Sequence, residues 1–243
     1  MSNKRKTILG VPLDTYQQEE FLLKIEKDFR SANVKTIFAV NPEKIMRAQR
    51  DPELFSALEK ADFLVPDGIG TVIGLRLIYG EIIARSTGIG LMRRLLDLAD
   101  KKKYKVFIFG SKPWTNTIAK GNILKRFPSL NLVGTQHGYL PKEEDEVLIE
   151  KINSLGTDIL FVGLGSPKQE KWIHRYKKFL RVKICMGIGG SLDVIAKIIP
   201  RAPIWLQNIG LEWLYRLMRE PSRFKRQKVL PRFAFEVLKE KIF

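Results

Sequence analysis

The stretch Val65-Pro66-Asp67-Gly68-Ile69-Gly70 follows a short apolar run, Phe63 to Val65, and turns between a proline and a glycine. Proline and glycine at this point favour a tight turn at the end of a strand. An acidic side chain on such a turn is presented to solvent rather than packed in a core. The stretch therefore predicts a strand followed by a corner, with Asp67 as a carboxylate available for chemistry.

Short apolar runs of this kind alternate with longer segments of helical period along most of the chain. The predicted strands are Thr7 to Leu9, Thr36 to Val40, Asp62 to Val65, Val106 to Phe109, Asn131 to Val133, Ile159 to Val162 and Val182 to Met186. The predicted helices between them are Gln17 to Arg30, Leu91 to Lys101, Thr115 to Phe127, Glu143 to Asn153 and Gln169 to Phe179. This alternation is typical of βαβ units. It predicts an α/β fold with a mainly parallel sheet and helices on both faces.

Ligands of such sheets bind beyond the carboxyl ends of the strands, so the residues that follow each run are the candidates for a site. These corners are Asn41-Pro42-Glu43, Pro66-Asp67-Gly68, Gly110-Ser111-Lys112, Gly163-Leu164-Gly165-Ser166 and Gly187-Ile188-Gly189-Gly190. Two of them lead directly into helices, one with Ser166 as the predicted N-cap and Pro167 at the first helical position. Several glycine corners beside helix amino termini favour a phosphorylated ligand. Neither a dinucleotide fingerprint nor a P-loop motif occurs.

The chain of 243 residues carries 43 Lys and Arg against 26 Asp and Glu, a net charge of +17. This excess indicates a polyanionic partner, which charge alone leaves open among nucleic acid, an anionic membrane surface and a phosphorylated substrate. Cys185 is the only cysteine, so a buried, reduced thiol is expected, and two histidines make a zinc site improbable. The sequence contains no apolar run of about 20 residues, the length that a membrane-spanning helix requires, so a cytoplasmic protein is predicted.

The composition changes after Ile199, which divides the chain into a catalytic domain, residues 1–200, and an appendage, residues 201–243. From residue 200 onward there are ten basic residues and four acidic ones. Prolines separate two predicted helices in this segment, Ile204 to Arg219 and Arg232 to Ile242. Arginines next to aromatic and leucine side chains suit an interfacial helix on a membrane. An ordinary helix with a solvated basic face is the alternative. A nucleic-acid site is a third reading, without a recognition motif to support it.

Several motifs together resemble the WecG/TagA/CpsF glycosyltransferases over nearly the whole chain. They are Asn41-Pro42-Glu43, Pro66-Asp67-Gly68-Ile69-Gly70, Arg85-Ser86-Thr87-Gly88, 162-VGLGSPKQE-170, 187-GIGGSLD-193 and Arg201-Ala202-Pro203 through 212-EWLYR-216. The resemblance implies a Rossmann-like core and an appendage that meets the membrane. It also implies inverting transfer of a sugar, N-acetylmannosamine in TagA-like members, from a UDP donor to polyprenyl-diphosphate-linked N-acetylglucosamine, for teichoic acid or another surface polysaccharide.

Inverting transfer needs one base and a means of stabilising the departing diphosphate. Asp67 is the predicted base, and the resemblance assigns Asn41 and Gln169 to orienting sugar hydroxyls. No Asp-x-Asp triplet occurs, so we expect neither a metal nor another cofactor, and Arg85 and the helix amino termini meet the charge instead. The full predicted UDP-binding set is Gly68, Gly110, Lys112, Gly163, Gly165, Lys168, Gly189, Gly190 and Asp193. The lipid diphosphate is assigned to Arg216, Arg223 and Arg226.

Two positions depart from the family pattern: Ala39 replaces a threonine, and Gly90 replaces an aspartate. They leave open the substrate contacts of the segment that follows Arg85, and they leave open the identity of the sugar. UDP-glucose and UDP-N-acetylmannosaminuronate are the alternative donors. The expected partners are thus a UDP-sugar, a polyprenyl-diphosphate-linked acceptor and an anionic membrane, without nucleic acid. We expect a peripheral location at the inner face of the cell membrane, and self-association into a homo-oligomer is left open.

Overall fold

The computed structural model describes residues 4–29, 33–80, 83, 87–200, 202–203, 205–206, 210–219 and 224–242. Its strands are β1 (Arg5–Ile8), β2 (Val11–Asp14), β3 (Lys35–Val40), β4 (Phe63–Pro66), β5 (Val106–Gly110), β6 (Leu132–Gln136), β7 (Ile159–Gly163) and β8 (Ile184–Gly187). Its helices up to β8 are α1 (Gln18–Asp28), α2 (Pro42–Ala48), α3 (Pro52–Glu59), α4 (Ile69–Tyr79), α5 (Gly88–Lys102), α6 (Pro113–Arg126), α7 (Asp145–Ser154) and α8 (Lys168–Tyr176). After β8 follow α9 (Ser191–Ile195), α10 (Glu212–Arg219), α11 (Phe224–Gln227) and α12 (Leu230–Ile242). One 3₁₀ turn, Lys142–Glu144, precedes α7, and another, Lys177–Phe179, follows α8.

Six strands form one sheet in the order β4-β3-β8-β7-β5-β6, and every neighbouring pair is parallel. The chain leaves β4 at one edge of the sheet and re-enters it at β5, on the other side of β3. Parallel strands need such crossovers, and helices supply them here. The predicted Rossmann-like α/β class with a mainly parallel sheet is therefore confirmed.

Helices cover both faces of the sheet, because alternate side chains of each strand enter two separate cores. Phe38 and Val162 belong to one core with side chains from α2, α3, α7 and α8. Their neighbours Ile37 and Phe161 belong to the other core with side chains from α1, α5 and α6. Strands buried on both faces read as continuous apolar runs, which is why they stand out in the sequence.

The first predicted strand is confirmed, but it does not join the main sheet. β1 pairs antiparallel with β2 in a separate hairpin, through a two-residue turn in which Leu9 and Gly10 both have positive φ, 49° and 73°. This conformation matches the right-handed twist of a hairpin. The carboxylate of Asp14 accepts the Leu64 N–H at 2.7 Å, so the hairpin lies against the outer strand β4. Edge strands of sheets are commonly covered in this way.

The last helix, α12, packs onto α4 and the hairpin. Its Phe233 and Val237 are buried and belong to the same core as β3 and β7. Gly74 of α4 permits this contact, because a Cβ at that position would lie 3.0 Å from Ile8 and 3.5 Å from Phe233. The part of residues 201–243 that the structure describes is thus anchored to the α/β core, and a domain boundary near residue 200 stays a prediction.

Cys185 is fully buried in β8, as predicted. Burial raises the pKa of its thiol far above the usual range, because a thiolate is poorly solvated in an apolar core. The thiol is therefore unreactive in the folded protein. Among the residues that the structure describes, no helix is long and apolar enough to cross a bilayer.

Candidate active site

The five predicted corners lie in a row along the carboxyl edge of the sheet. From one end of this edge to the other, the corners are those of Asp67 after β4, Asn41 after β3, Gly189 after β8, Gly165 after β7 and Ser111 after β5. Neighbouring strands are about 4.8 Å apart, so four intervals make this row about 20 Å long. The edge thus forms an elongated surface, with Asp67 and Asn41 at one end and the glycine corners at the other.

Asp67 stands on a turn that its main chain holds in place. Its N–H donates to the Val40 carbonyl at 2.8 Å, and its own carbonyl accepts the Thr71 hydroxyl at 3.1 Å. Gly68 follows with φ at 79°, a left-handed conformation that favours glycine, and opens α4 as its N-cap. The side chain of Asp67 is half-buried. These two main-chain hydrogen bonds do not use the carboxylate, so a substitution of the side chain leaves both of them in place.

Asn41 caps α2, since its Oδ1 accepts the Lys44 N–H at 2.8 Å. The side chain thereby has a local structural role in addition to the predicted contact with a sugar. Within the described part of the chain, Nδ2 of Asn41 donates to no protein atom, and the residue is half-buried. A Cβ on Gly70 would lie 2.8 Å from Pro42, so the Asn41 and Asp67 corners pack directly against each other.

The two departures from the family pattern, Ala39 in β3 and Gly90 in α5, lie near each other where α5 begins. Thr87 caps this helix, because its hydroxyl accepts the Gly90 N–H at 3.1 Å. A Cβ on Gly90 would lie only 2.8 Å from that hydroxyl, and one on Gly88 would lie 3.2 Å from Cβ of Ala39. Small residues at these positions therefore bring the amino terminus of α5 close to β3. Arg85, which precedes this helix in the sequence, lies outside the described residues.

The glycine corners after β5, β7 and β8 are in close contact. A Cβ on Gly110, whose φ is 138°, would meet the Gly163 main chain, and one on Gly163 would lie 3.3 Å from the Gly189 carbonyl oxygen. The Ser111 hydroxyl donates to the Asp193 carboxylate at 3.3 Å and so links the β5 and β8 corners. The structure therefore brings Gly110, Gly163, Gly189 and Asp193 together.

Gly110→Ala should destabilise the protein strongly, because the new methyl group meets backbone and the φ value is unsuited to alanine. Strain and overpacking together predict a loss of about 2–5 kcal/mol in the free energy of unfolding. Thermal denaturation measures it as a fall of roughly 5–15 °C in Tm. Gly121→Ala on α6 is the matched control, since a Cβ there meets nothing within 4 Å, and we expect it to raise Tm slightly. A Gly110→Ala variant with the Tm of the parent would contradict the close approach.

Three corner glycines face open space. Gly68, Gly165 and Gly189 all have positive φ, and a Cβ on any of them would meet nothing within 4 Å. Lys112 and Lys168 are exposed beside these corners, and Gly190 is exposed as well. Open backbone with nearby ammonium groups suits the approach of a phosphate group. The residues of the predicted UDP-binding set thus lie along one edge of the sheet.

The predicted cap at Ser166 is wrong. α8 begins at Lys168 with Pro167 in the N-cap position, and no side chain caps it. Gly165 turns the chain with φ at 76°, and its carbonyl accepts the Gln169 N–H at 2.9 Å. The turn at Gly165 therefore replaces the hydroxyl of Ser166, which is exposed.

Gln169 does not point into the open edge. It is 2 % exposed, its Nε2 donates to Glu170 at 2.8 Å, and its Oε1 accepts the Gly189 N–H at 2.8 Å. The buried Glu170 is paired in turn with Lys44 on α2. Lys44 and Glu170 were not singled out in the sequence. A lysine on an apolar helix face was the one available signal, because lysine is rarely buried unpaired.

The appendage approaches the Asp67 corner. A Cβ on Gly210, whose φ is 78°, would lie 2.9 Å from Ile69, the first residue of α4. Several large apolar side chains of the appendage are exposed, namely Trp205, Trp213, Leu214, Met218, Phe224, Phe235, Leu238 and Ile242. Arg216 and Arg226 lie in α10 and α11, but their side chains, and all of Arg223, lie outside the described part of the chain.

Among the described residues, no group of three or more His, Cys, Asp or Glu side chains is placed to hold a metal ion. Lysines and main-chain amides are the groups of the described chain at this edge that suit a negatively charged ligand. Metal independence itself stays a prediction that a chelator can test.

These features define an α/β protein with glycine corners, lysines and the aspartates Asp67 and Asp193 on the carboxyl edge of a parallel sheet, the edge at which such folds bind their ligands. The chain belongs to the WecG/TagA/CpsF family of glycosyltransferases, whose family model matches residues 6–243. It is 35 % identical over 240 residues to the N-acetylglucosaminyldiphosphoundecaprenol N-acetyl-beta-D-mannosaminyltransferase of Bacillus subtilis (strain 168), covering 97 % of this chain and 91 % of the relative. The enzyme of the same name from Bacillus spizizenii is 36 % identical over 203 residues, 84 % of this chain and 78 % of that protein.

Proposed function

We propose that this glycosyltransferase moves N-acetylmannosamine from a UDP donor to undecaprenyl-diphosphate-linked N-acetylglucosamine, with inversion at the anomeric carbon. The observation that carries the proposal is the 35 % identity to the Bacillus subtilis mannosaminyltransferase over 97 % of this chain. The two Bacillus relatives share that activity in their names. The product enters teichoic acid or another surface polysaccharide.

Asp67 is the proposed general base. The acceptor hydroxyl attacks the anomeric carbon, its proton passes to the Asp67 carboxylate, and the bond from that carbon to the UDP oxygen breaks. A single carboxylate suffices, because the leaving diphosphate is already a weak base and needs no proton from an acid. The neighbouring Asn41, with a free Nδ2 in the described structure, is the proposed partner of a sugar hydroxyl.

The departing diphosphate is proposed to lie over the glycine corners, where Lys112, Lys168 and main-chain amides compensate its charge. Arg85, which precedes α5 in the sequence, is proposed to reach the same group. Preorganised donors of this kind stabilise charge that develops in a transition state. Asp193, next to Ser111, is proposed to bind donor hydroxyls. Gln169 supports the site through Gly189, in keeping with the contacts of its amide.

Removal of divalent metal should leave turnover nearly unchanged, because the proposed charge partners are protein groups. The measurement is the initial rate of UDP release in excess EDTA and after readdition of Mg²⁺ or Mn²⁺. Rates within about twofold of each other are expected, since a metal that clamps a diphosphate contributes several kcal/mol when it is used. A rate that collapses in EDTA and returns with metal would refute metal independence.

The acceptor carries a lipid, and the appendage is the proposed membrane contact. Its exposed aromatic and aliphatic side chains suit the interface of a bilayer, and its arginines suit anionic headgroups and the lipid diphosphate. Gly210, packed on Ile69, brings this part of the appendage next to the Asp67 corner. These positions support a peripheral location at the inner face of the cell membrane.

A donor screen tests the substrate. A short-chain polyprenyl-diphosphate-N-acetylglucosamine acceptor is incubated with UDP-N-acetylmannosamine, UDP-glucose or UDP-N-acetylmannosaminuronate, and the lipid products are weighed by mass spectrometry. We expect addition of one N-acetylhexosamine from the first donor only. Transfer from another donor alone would keep the class and change the sugar. No transfer, together with a salt-sensitive gel shift of RNA or DNA, would favour a nucleic-acid-binding protein.

A further inference from the structure

A relay of buried polar contacts joins α2 to α8 behind the carboxyl edge. Lys44 Nζ donates to Glu170 Oε1 at 2.6 Å and to the carbonyl oxygen of Ala39 at 2.6 Å. Gln169 Nε2 donates to the same Glu170 oxygen at 2.8 Å, and Gln169 Oε1 accepts the Gly189 N–H at 2.8 Å. The side chains of Lys44 and Glu170 are 7 % and 0 % exposed. The contacts therefore run without a break from β3 to the corner after β8.

Fold stability alone is a poor explanation for this arrangement. Two charges withdrawn from water lose hydration that their mutual attraction often only offsets, and apolar pairs of similar volume are commonly as stable. The second oxygen of Glu170, Oε2, is buried without a hydrogen-bond partner among the described residues, which adds to the cost. A role in holding particular atoms in place accounts better for a charged pair at this position.

Both ends of the relay are residues of the ligand corners. Asn41 caps the helix that carries Lys44, through the Lys44 N–H. At the other end Gln169 lies across the end of β8, where a Cβ on Gly187 would be 2.8 Å from its Nε2. The oxygen and the nitrogen of the Gln169 amide point in different directions. When Oε1 accepts the Gly189 N–H, Nε2 therefore faces Glu170.

We propose that Lys44 and Glu170 are positioning residues of the transferase site. Glu170 orients the Gln169 amide, the amide holds the Gly189 N–H, and Lys44 ties Glu170 to the end of β3. The pair thereby fixes the corner after β8 relative to the corner that carries Asn41. The kinetic consequence rests on the proposed function, whereas the effect on the Gly189 amide does not.

Two double variants that both lack the charges separate this role from stability. Lys44→Met/Glu170→Met removes the acceptor of Gln169, whereas Lys44→Met/Glu170→Gln retains an oxygen in the same place. Lys171→Met is the control on the same helix, because Lys171 pairs near the surface with Asp51 and Glu53. The measurements are Tm, amide hydrogen exchange at Gly189 by NMR, and KM and kcat with the UDP-sugar.

We expect similar Tm values for the two double variants, with Gly189 exchanging at least about tenfold faster in the methionine pair. We also expect its donor KM to rise about tenfold or more, with a smaller change in kcat, whereas the glutamine-containing pair, which keeps the acceptor of Gln169 but lacks Lys44, shows a smaller rise and Lys171→Met stays close to the parent. Lys44→Leu/Glu170→Leu replaces the methionine pair if that pair does not fold.

Equal Gly189 exchange and equal KM in the two double variants would overturn the proposal. If the parent protein transfers no sugar from any UDP donor, the proposed function fails, and the exchange rates alone then decide the proposal. Faster exchange in the methionine pair supports the positioning role in that case, and unchanged exchange overturns it.

Discussion

Asp67→Asn should lower kcat by about 10²–10⁴-fold while the fold and the affinity for UDP are retained, because the variant loses a general base. The hydrogen bonds of Asp67 to Val40 and Thr71 use its main chain, so asparagine keeps them. The amide has nearly the shape of the carboxylate but cannot accept the acceptor's proton. Steady-state rates of UDP release, with UDP affinity by calorimetry, measure both halves of the prediction.

Asp97→Asn is the control for loss of one carboxylate. Asp97 is exposed on α5 and pairs with Lys101, away from the carboxyl edge. Its rate should equal that of the parent. If Asp67→Asn retained the parent's kcat, the base would have to be another group, and the assignment of Asp67 would be wrong.

Arg216→Ala/Arg223→Ala/Arg226→Ala should weaken binding to anionic vesicles by about 100-fold, since each basic residue near such a surface contributes about 1 kcal/mol. Transfer to a membrane-embedded acceptor should fall with it. Transfer to a water-soluble, short-chain acceptor should fall less. In that assay the variant loses only the contact of the arginines with the lipid diphosphate, because membrane binding plays no part. Vesicle co-sedimentation and parallel rates with the two acceptors measure these effects.

Substitution is a sharper experiment than truncation of the appendage. A chain that ended before Arg216 would also lose Phe233 and Val237, which are buried against α4 and the hairpin. The control removes three basic residues at the amino edge of the sheet, Lys27, Lys102 and Lys125, which lie in the last turns of α1, α5 and α6. Equal loss of vesicle binding in the control would show that net charge, rather than the appendage, is responsible.

The parallel sheet and its ligand edge were predictable from the sequence because they depend on local signals. Strands buried on both faces give apolar runs such as Val106 to Phe109, and the glycine corners that follow them mark the carboxyl ends. The observed strands extend beyond these runs by one to three residues at most carboxyl ends, and three of them begin one or two residues later than predicted. The order of the strands places Asp67 and Asn41 side by side, as a shared site requires.

Other parts depend on tertiary contacts and were missed. α4 contains Gly70, Gly74 and β-branched residues, which give weak helix propensity, and its packing against α12 and the hairpin compensates for it. β2 is too short to be recognised without its partner β1. Lys44 and Glu170 are 126 residues apart, so their pairing has no signature in either local sequence. The burial of Gln169 follows from that same pair.

The most direct test of the account compares the parent protein and Asp67→Asn with UDP-N-acetylmannosamine and the polyprenyl-diphosphate-N-acetylglucosamine acceptor. Mass spectrometry follows the lipid product, and NMR gives the configuration of the new linkage. We expect the parent to add one N-acetylhexosamine in the inverted configuration and the folded, UDP-binding variant to add almost none. Equal product from both proteins, or a product that retains the donor's configuration, would contradict catalysis by a single base at Asp67.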